Sequence, residues 1–401
     1  MKILMLTLYL PYPPTSGGQI RSYNLIKHLS KTHEITLFSI IKKGEEKYAS
    51  ELEKYCKEVR FFYRTTKPWT IENLIKYAFS VYPFLVIRNT SEKARRAVAR
   101  ELKNKQYDLI HVETFYLMSH VPKTKVPIIL VDQTIEYKVY QHFVNSKPWF
   151  LRLPLSQEVW RLKFWESKFW KEANRVVAVS EADQEQMQHT VPGLEVDIIP
   201  NAPGDDLADL YVKRKKPDLH QPTIFFQSNF LWLQNVEGAN ILINEVFPEI
   251  KKRIPGAKCL ISGQNIRGKI RTINDPSIEI LELQTSDTEG VRQAYLRGTV
   301  FVAPLWGPGG TRLKILSAMS TGIPVVTTPV GAQGLDVVDG RDMYIRKTSQ
   351  AMAEAVVSLL SDNNKYNQMV VDAKKVTDSK YNWKSIAQRL SKIYEETANK
   401  A

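Results

Sequence analysis

The stretch Gly307-Pro308-Gly309-Gly310-Thr311-Arg312-Leu313-Lys314 runs on through Ile315-Leu316-Ser317-Ala318-Met319-Ser320 and Thr321-Gly322-Ile323-Pro324-Val325-Val326. It directly follows an apolar run, Val300 to Leu305, that reads as a buried strand. The order is strand, glycine-rich loop, helix, turn and a further strand. Glycines let a backbone approach a ligand closely, and the first helical turn leaves N–H groups unpaired at the positive end of the helix dipole. Arg312 and Lys314 add full positive charge at the same place. Such a loop favours a phosphate or diphosphate.

Outward from this unit, strand and helix candidates alternate, as in parallel α/β sheets. In the first half, strands are expected at Ile3–Leu8, Glu34–Ile40, Val59–Tyr63, Leu109–Val112, Pro127–Asp132 and Arg175–Val179. Helices are expected at Ser22–Ser30, Glu72–Tyr82 and Glu92–Asn104. In the second half, strands are expected at Thr223–Gln227, Ala257–Ser262, Ile278–Leu281, Val300–Ala303 and Pro324–Thr327, with one helix from Val236 to Arg253. The 401 residues exceed the usual size of a single core. Between Asn201 and Lys216 the apolar pattern breaks at Pro-Gly-Asp-Asp and Lys-Arg-Lys-Lys-Pro, which marks a domain boundary. The division expected is 1–203, 204–378 and a final helical segment 379–401 that packs back toward the first domain.

Hydrophobic residues at 43% and charged residues at 24% are ordinary for a folded globular chain, and argue against disorder. Lys and Arg outnumber Asp and Glu by 56 to 42, a net charge of +14 that suits anionic partners. No basic–aromatic nucleic-acid module is recognisable, so nucleic acid is not an expected partner. Cys56 and Cys259 show no metal or redox spacing, and Cys259 lies in an apolar run expected to bury a free thiol. The apolar run at Met1–Leu6 is short and meets prolines, and no segment reaches the ~20 apolar residues of a membrane span. A cytoplasmic protein is expected, with an anionic membrane surface on the inner face as a further partner.

The Gly307–Lys314 motif with its flanks resembles the donor site of the family 4, group 1 glycosyltransferases of the GT-B fold. Pro14-Thr15-Ser16-Gly17-Gly18-Gln19-Ile20-Arg21 resembles their amino-terminal glycine loop. Asn174 to Glu181 and Ile198-Ile199-Pro200-Asn201 resemble the lead-in to their second domain, and Lys380-Tyr381-Asn382-Trp383 the opening of their final helix. The resemblance implies an α/β protein with two Rossmann-like domains whose parallel sheets face each other across a cleft. It implies transfer of a sugar from a nucleotide-diphosphate sugar donor to a saccharide or lipid-linked acceptor, with retention of configuration, in envelope polysaccharide or glycolipid synthesis. No cofactor or metal is implied, and no Asp-x-Asp pair lies near the phosphate loop. A nucleotide-sugar 2-epimerase and a non-catalytic nucleotide-binding protein of the same fold are the alternatives.

The donor-binding candidates are Gly309, Gly310, Thr311, Arg312 and Lys314, with Asn229 in the first loop of the second domain and Ser317 on the helix. Ser317 stands where relatives commonly place a glutamate for the ribose hydroxyls, so a glutamate restored there is expected to tighten nucleotide binding. Gly17 and Gly18 form either a second phosphate-approach loop or a plain turn with a helix cap. Arg21 either reaches an anion or is a solvated side chain. Glu113 and Glu136 are the catalytic candidates: with the departing phosphate able to take the acceptor proton, a carboxylate need only orient the acceptor and support charge at the sugar. Asp132 lies near them in sequence, each of the three being a loop residue or cap on the plainer reading, and His111 is expected to be a hydrogen-bonded structural histidine. Leu155 to Ala173 is rich in aromatic and basic residues; its apolar stripe predicts packing, with interfacial membrane contact as the alternative. The helix bearing Lys93, Arg95, Arg96 and Arg100 offers a basic surface or a simple solvated face.

Overall fold

The computed structural model describes residues 1–64, 67, 69–270, 275–284, 287–307 and 312–400. It divides into two compact units: Met1–Pro200 together with Trp383–Ala401, and Asn201–Asn382.

Among the described residues, the sheet of the first unit has seven strands in the order β3-β2-β1-β4-β5-β6-β7, all parallel. They are β1 Lys2–Thr7, β2 Glu34–Ile41, β3 Glu58–Tyr63, β4 Leu109–Glu113, β5 Ile128–Val131, β6 Arg175–Ala178 and β7 Val196–Ile198. Strands β1, β2, β4 and β5 are buried along nearly their whole length because helices cover both faces. The second unit has six described strands in the order β10-β9-β8-β11-β12-β13, again parallel. They are β8 Thr223–Asn229, β9 Lys258–Gln264, β10 Ile278–Glu282, β11 Val300–Ala303, β12 Val325–Thr327 and β13 Tyr344–Ile345.

Each sheet winds outward in two directions from a central pair, β1/β4 in the first unit and β8/β11 in the second. At such a reversal the connections leave on opposite faces, and the carboxyl edge between the two strands stays open to a ligand.

Several elements differ from expectation. The helix expected at Ser22 begins at Gly17, because the Ser16 hydroxyl accepts from the Gln19 amide and Ser16–Gln19 forms a capping pair. Gly17 and Gly18 therefore sit in the first helical turn, and a side chain at Gly18 would collide with the Tyr9 hydroxyl. The helix expected over Val236–Arg253 starts at Leu233 and is interrupted by a π-helical turn at Leu242–Val246 just ahead of Pro248. The helix expected to reach Tyr82 ends at Ala78. The short strands β7 and β13 extend the sheets beyond the expected set.

The helix Trp383–Lys400 belongs to the first unit. Its Ser391 hydroxyl lies 2.7 Å from His33, and Arg389 donates to the Ile198 carbonyl. Both cysteines are buried and free.

In β9, Gly263 has φ +142° and a Cβ there would overlap the Ser228 carbonyl of β8. Gly263→Ala is expected to lower the stability of the second unit by about 3 kcal/mol or more. Urea unfolding followed by tryptophan fluorescence checks it.

Candidate functional site

At the carboxyl end of β8, Ser228 and Asn229 face the start of the helix Leu313–Ser320, whose first turn carries Lys314. The Lys314 ammonium donates to the Ser228 hydroxyl at 2.7 Å and to the Asn235 side-chain carbonyl at 2.5 Å, and lies over the Phe226 ring. Both acceptors are neutral. Among the described residues, no carboxylate forms an ion pair with this lysine. Burial, and then the charge of Arg312, push its pKa well below the ordinary lysine value. Arg312 is itself buried and donates to the Gly307 carbonyl at 2.5 Å. Two cations thus sit together at the β8/β11 reversal. Gly309, Gly310 and Thr311 lie outside the described residues.

The remaining candidates of the second unit are held by neighbours. Asn229 accepts from the Leu231 amide and from Asn265, and donates to Gln264. Ser317 is buried close to the Tyr295 hydroxyl, which donates to the Gln227 side chain and the Lys314 carbonyl, so a glutamate introduced there must displace that hydroxyl before it can meet a ribose. Near the end of β12, Thr328 caps the following turn through the Gly331 amide and donates to the Leu305 carbonyl, fixing the two strand ends against each other.

In the first unit, Glu113 ends β4 beside the β1/β4 reversal and is fully buried. It accepts from His111 Nε2 at 3.0 Å and from Gln133 at 2.5 Å, and Arg21 Nε lies 3.7 Å away. Because a carboxylate only accepts, His111 carries its proton on Nε2, and its Nδ1 accepts from the Tyr394 hydroxyl at 2.5 Å. Burial pushes the Tyr394 hydroxyl far above its usual pKa, which keeps it a donor. Burial would likewise raise the Glu113 carboxyl, but His111, Arg21 and Gln133 outweigh it and hold the group below the usual carboxylate value. His111 is hydrogen-bonded on both ring nitrogens, as the sequence suggested.

Arg21 is fully buried, which corrects the reading of it as a solvated side chain. Its guanidinium donates to the Ile199 and Pro200 carbonyls, at the point where the chain leaves the first unit. Gly18 abuts Tyr9, whose hydroxyl accepts from Gln133. Gly17, Gly18, Arg21 and Glu113 are thus gathered at one edge of the sheet.

Glu136 belongs to a separate cluster. It begins the helix after β5, and its amide and that of Tyr137 donate to Glu166. Trp170 Nε1 donates to Asp132 at 2.7 Å. Sequence reasoning missed Glu166, whose signal was a carboxylate set on the apolar stripe between Leu162 and Phe169. Burial raises Glu136 to about 7 and Asp132 to about 8, the latter also through the neighbouring Glu136 charge, and Glu166 well above its usual value. Among the described residues, no group of His, Cys, Asp or Glu is arranged to hold a metal ion.

Residues 15–202 match Glycosyltransferase Family 4, and residues 221–362 match Glycosyl transferases group 1. The chain belongs to the group 1/family 4 glycosyltransferases. Over 413 aligned positions this glycosyltransferase is 24% identical to an uncharacterized 44.6 kDa protein in the cps region of Klebsiella pneumoniae, covering 98% of this chain and 99% of that one. Its fold is similar to that of sucrose-phosphate synthase from Thermosynechococcus elongatus (TM-score 0.72, 15% identity, all of both chains). It is also similar to Anabaena HepE in complex with UDP and glucose (TM-score 0.65, 16% identity, 99% of this chain and 100% of that one). These likenesses and the two parallel sheets make it a two-domain α/β GT-B protein.

Because Asp132 and Glu136 bind protons more tightly folded than unfolded, their contribution to stability is fully present below the usual carboxylate range and is lost as pH rises toward 8. Glu113 works in the opposite sense and costs stability only in acid, as pH falls through its lowered value. The melting temperature of this glycosyltransferase is therefore expected to fall between about pH 5 and about pH 8, and Glu136→Gln to flatten that fall. Calorimetric melting of both proteins across this range is the check; equal slopes would contradict the assignment.

Proposed function

We propose that this glycosyltransferase moves a sugar from a nucleotide-diphosphate sugar to a saccharide or lipid-linked acceptor, with retention, in envelope polysaccharide or glycolipid synthesis. One observation carries the reading: Lys314 is half-buried against neutral acceptors with Arg312 beside it, at the reversal point of its sheet. A cation partly withdrawn from water in this way is costly until an anion meets it. A donor diphosphate supplies that anion, and the charge that grows on it as the sugar departs strengthens the same contacts. Relatives bound to UDP and glucose, and a relative in a cps region, support the donor class and the biosynthetic setting.

In the proposed reaction the bond from the anomeric carbon to the phosphate oxygen breaks, and a bond to the acceptor oxygen forms on the same face. The acceptor proton passes to the departing phosphate oxygen. The diphosphate charge is proposed to be met by Arg312, Lys314 and the backbone N–H groups of Gly309, Gly310 and Thr311 rather than by a metal ion. Asn229 and Ser317 are proposed to contact the nucleoside. Glu113, held ionised by His111, Arg21 and Gln133, is proposed to supply a fixed negative field for the positive charge developing on the sugar. Gly17 and Gly18 are proposed to let the donor approach the first helical turn. Glu136, kept largely protonated below about pH 7, is proposed to donate a hydrogen bond on the acceptor side.

Lys314→Met is expected to weaken nucleotide-diphosphate binding by about ten- to a hundredfold in titration calorimetry. Only the charged lysine attracts the anion, so wild-type affinity should fall as pH rises through the lowered Lys314 value, with proton uptake on binding. Affinity indifferent to both the substitution and pH would defeat the proposal. Proton NMR of the product reads the anomeric configuration, and activity in excess chelator tests metal independence.

A further inference from the structure

We propose that the first unit carries a docking surface for an anionic lipid bilayer, formed by the helices Ile71–Ala78 and Trp149–Glu172. This goes beyond the reading of the donor site and does not depend on it. The helix Ile71–Ala78 is amphipathic in the reverse of the usual sense. Ile71 and Ile75, with Phe79 just beyond the helix end, are 78%, 55% and 91% exposed, whereas the polar Asn73 is buried.

The longer helix has two apolar stripes. Val159, Leu162 and Phe169 face the core, as the sequence predicted. On the far side lie Trp149, Leu153, Trp160 and Phe164, spaced four, seven and four residues apart, which keeps them on one face of a helix. All four are more than half exposed, and the Trp160 and Phe164 rings stack on each other. The two helices are locked side by side. The Tyr77 hydroxyl donates to Glu158 at 2.8 Å, and Arg161 donates to the Ser80 and Tyr82 carbonyls with its guanidinium over the Tyr77 ring.

Charge selects the occupant. From Phe143 to Gln157 the chain carries Lys147 and Arg152 and no acidic residue. Farther along the same helix, Lys163, Lys168 and Lys171 are exposed. The acids of the helix point elsewhere or are paired: Glu158 also accepts from the Phe84 amide, Glu166 is buried, and Glu172 pairs with Lys168. An exposed face of indoles and aliphatic side chains flanked by lysines suits a helix lying in the headgroup region of an anionic membrane. A second copy presenting the same basic face would be repelled by it. No described helix is long and apolar enough to cross a membrane, so the contact would be in-plane.

The test uses the full-length protein in flotation with phosphatidylcholine vesicles, with and without about 30 mol% phosphatidylglycerol. The expected result is binding to the anionic vesicles only, with a blue shift of tryptophan emission. The triple substitution Trp149→Ser, Leu153→Ser, Trp160→Ser should weaken that binding by about tenfold or more, with unchanged circular dichroism and unchanged nucleotide binding. Absence of vesicle binding, or equal binding by the variant, overturns the proposal. So does a wild-type dimer in light scattering that the triple substitution converts to monomer, which would assign the surface to a second copy. Lys314→Met should leave flotation unaltered, so failure of the donor-site reading and failure of this one are distinguishable.

Discussion

A parallel sheet wound both ways from a central strand pair cannot cover the carboxyl edge between those two strands, and both units of this protein are built on that constraint. Candidate groups of opposite charge collect at the two reversals, while Asp132, Glu136 and Glu166 form a separate cluster after β5. In the second unit the β8/β11 edge receives Lys314 and Arg312. In the first, the β1/β4 edge receives Glu113 and the first turn of the Gly17–Leu29 helix. The two edges have opposite electrical character. One brings Arg312 beside Lys314, whose ammonium is held by two neutral groups; the other holds a carboxylate satisfied by three surrounding groups.

That difference explains how each site can be rigid. Glu113 is over-determined: His111 is fixed by Tyr394, Gln133 by Tyr9, and Arg21 by backbone carbonyls at Ile199 and Pro200. Removing one member would leave the others with unsatisfied buried charge, so the network behaves as a unit. Lys314 is held by two neutral groups, and its charge is the part left for a ligand to answer.

The alternation of apolar runs with helical periods was enough to read the two-unit α/β architecture, and the Gly307–Lys314 motif was enough to single out Arg312 and Lys314, which the fold sets side by side. What stayed illegible depended on contacts between residues far apart in sequence. Arg21 reads as a surface residue until its partners 178 and 179 positions away are known. Glu166 and Glu136 become one cluster only when the helices after β5 fold together. The edge strands β7 and β13, three and two residues long, are too short to show a period. One miss was local and avoidable: Ser16-x-x-Gln19 is a capping box, and it announces a helix at Gly17 rather than a loop.

The excursion of the chain through the second unit has a consequence for biosynthesis. Residues 1–200 leave the ribosome first, yet the helix that completes their unit, Trp383–Lys400, is made only after the whole of Asn201–Asn382. Until then His111 lacks Tyr394, and the face of the Gly17–Leu29 helix that receives the last helix stands open to water. The first half thus emerges with the surface that receives the last helix exposed, and its unit is completed only once Trp383–Lys400 has been made.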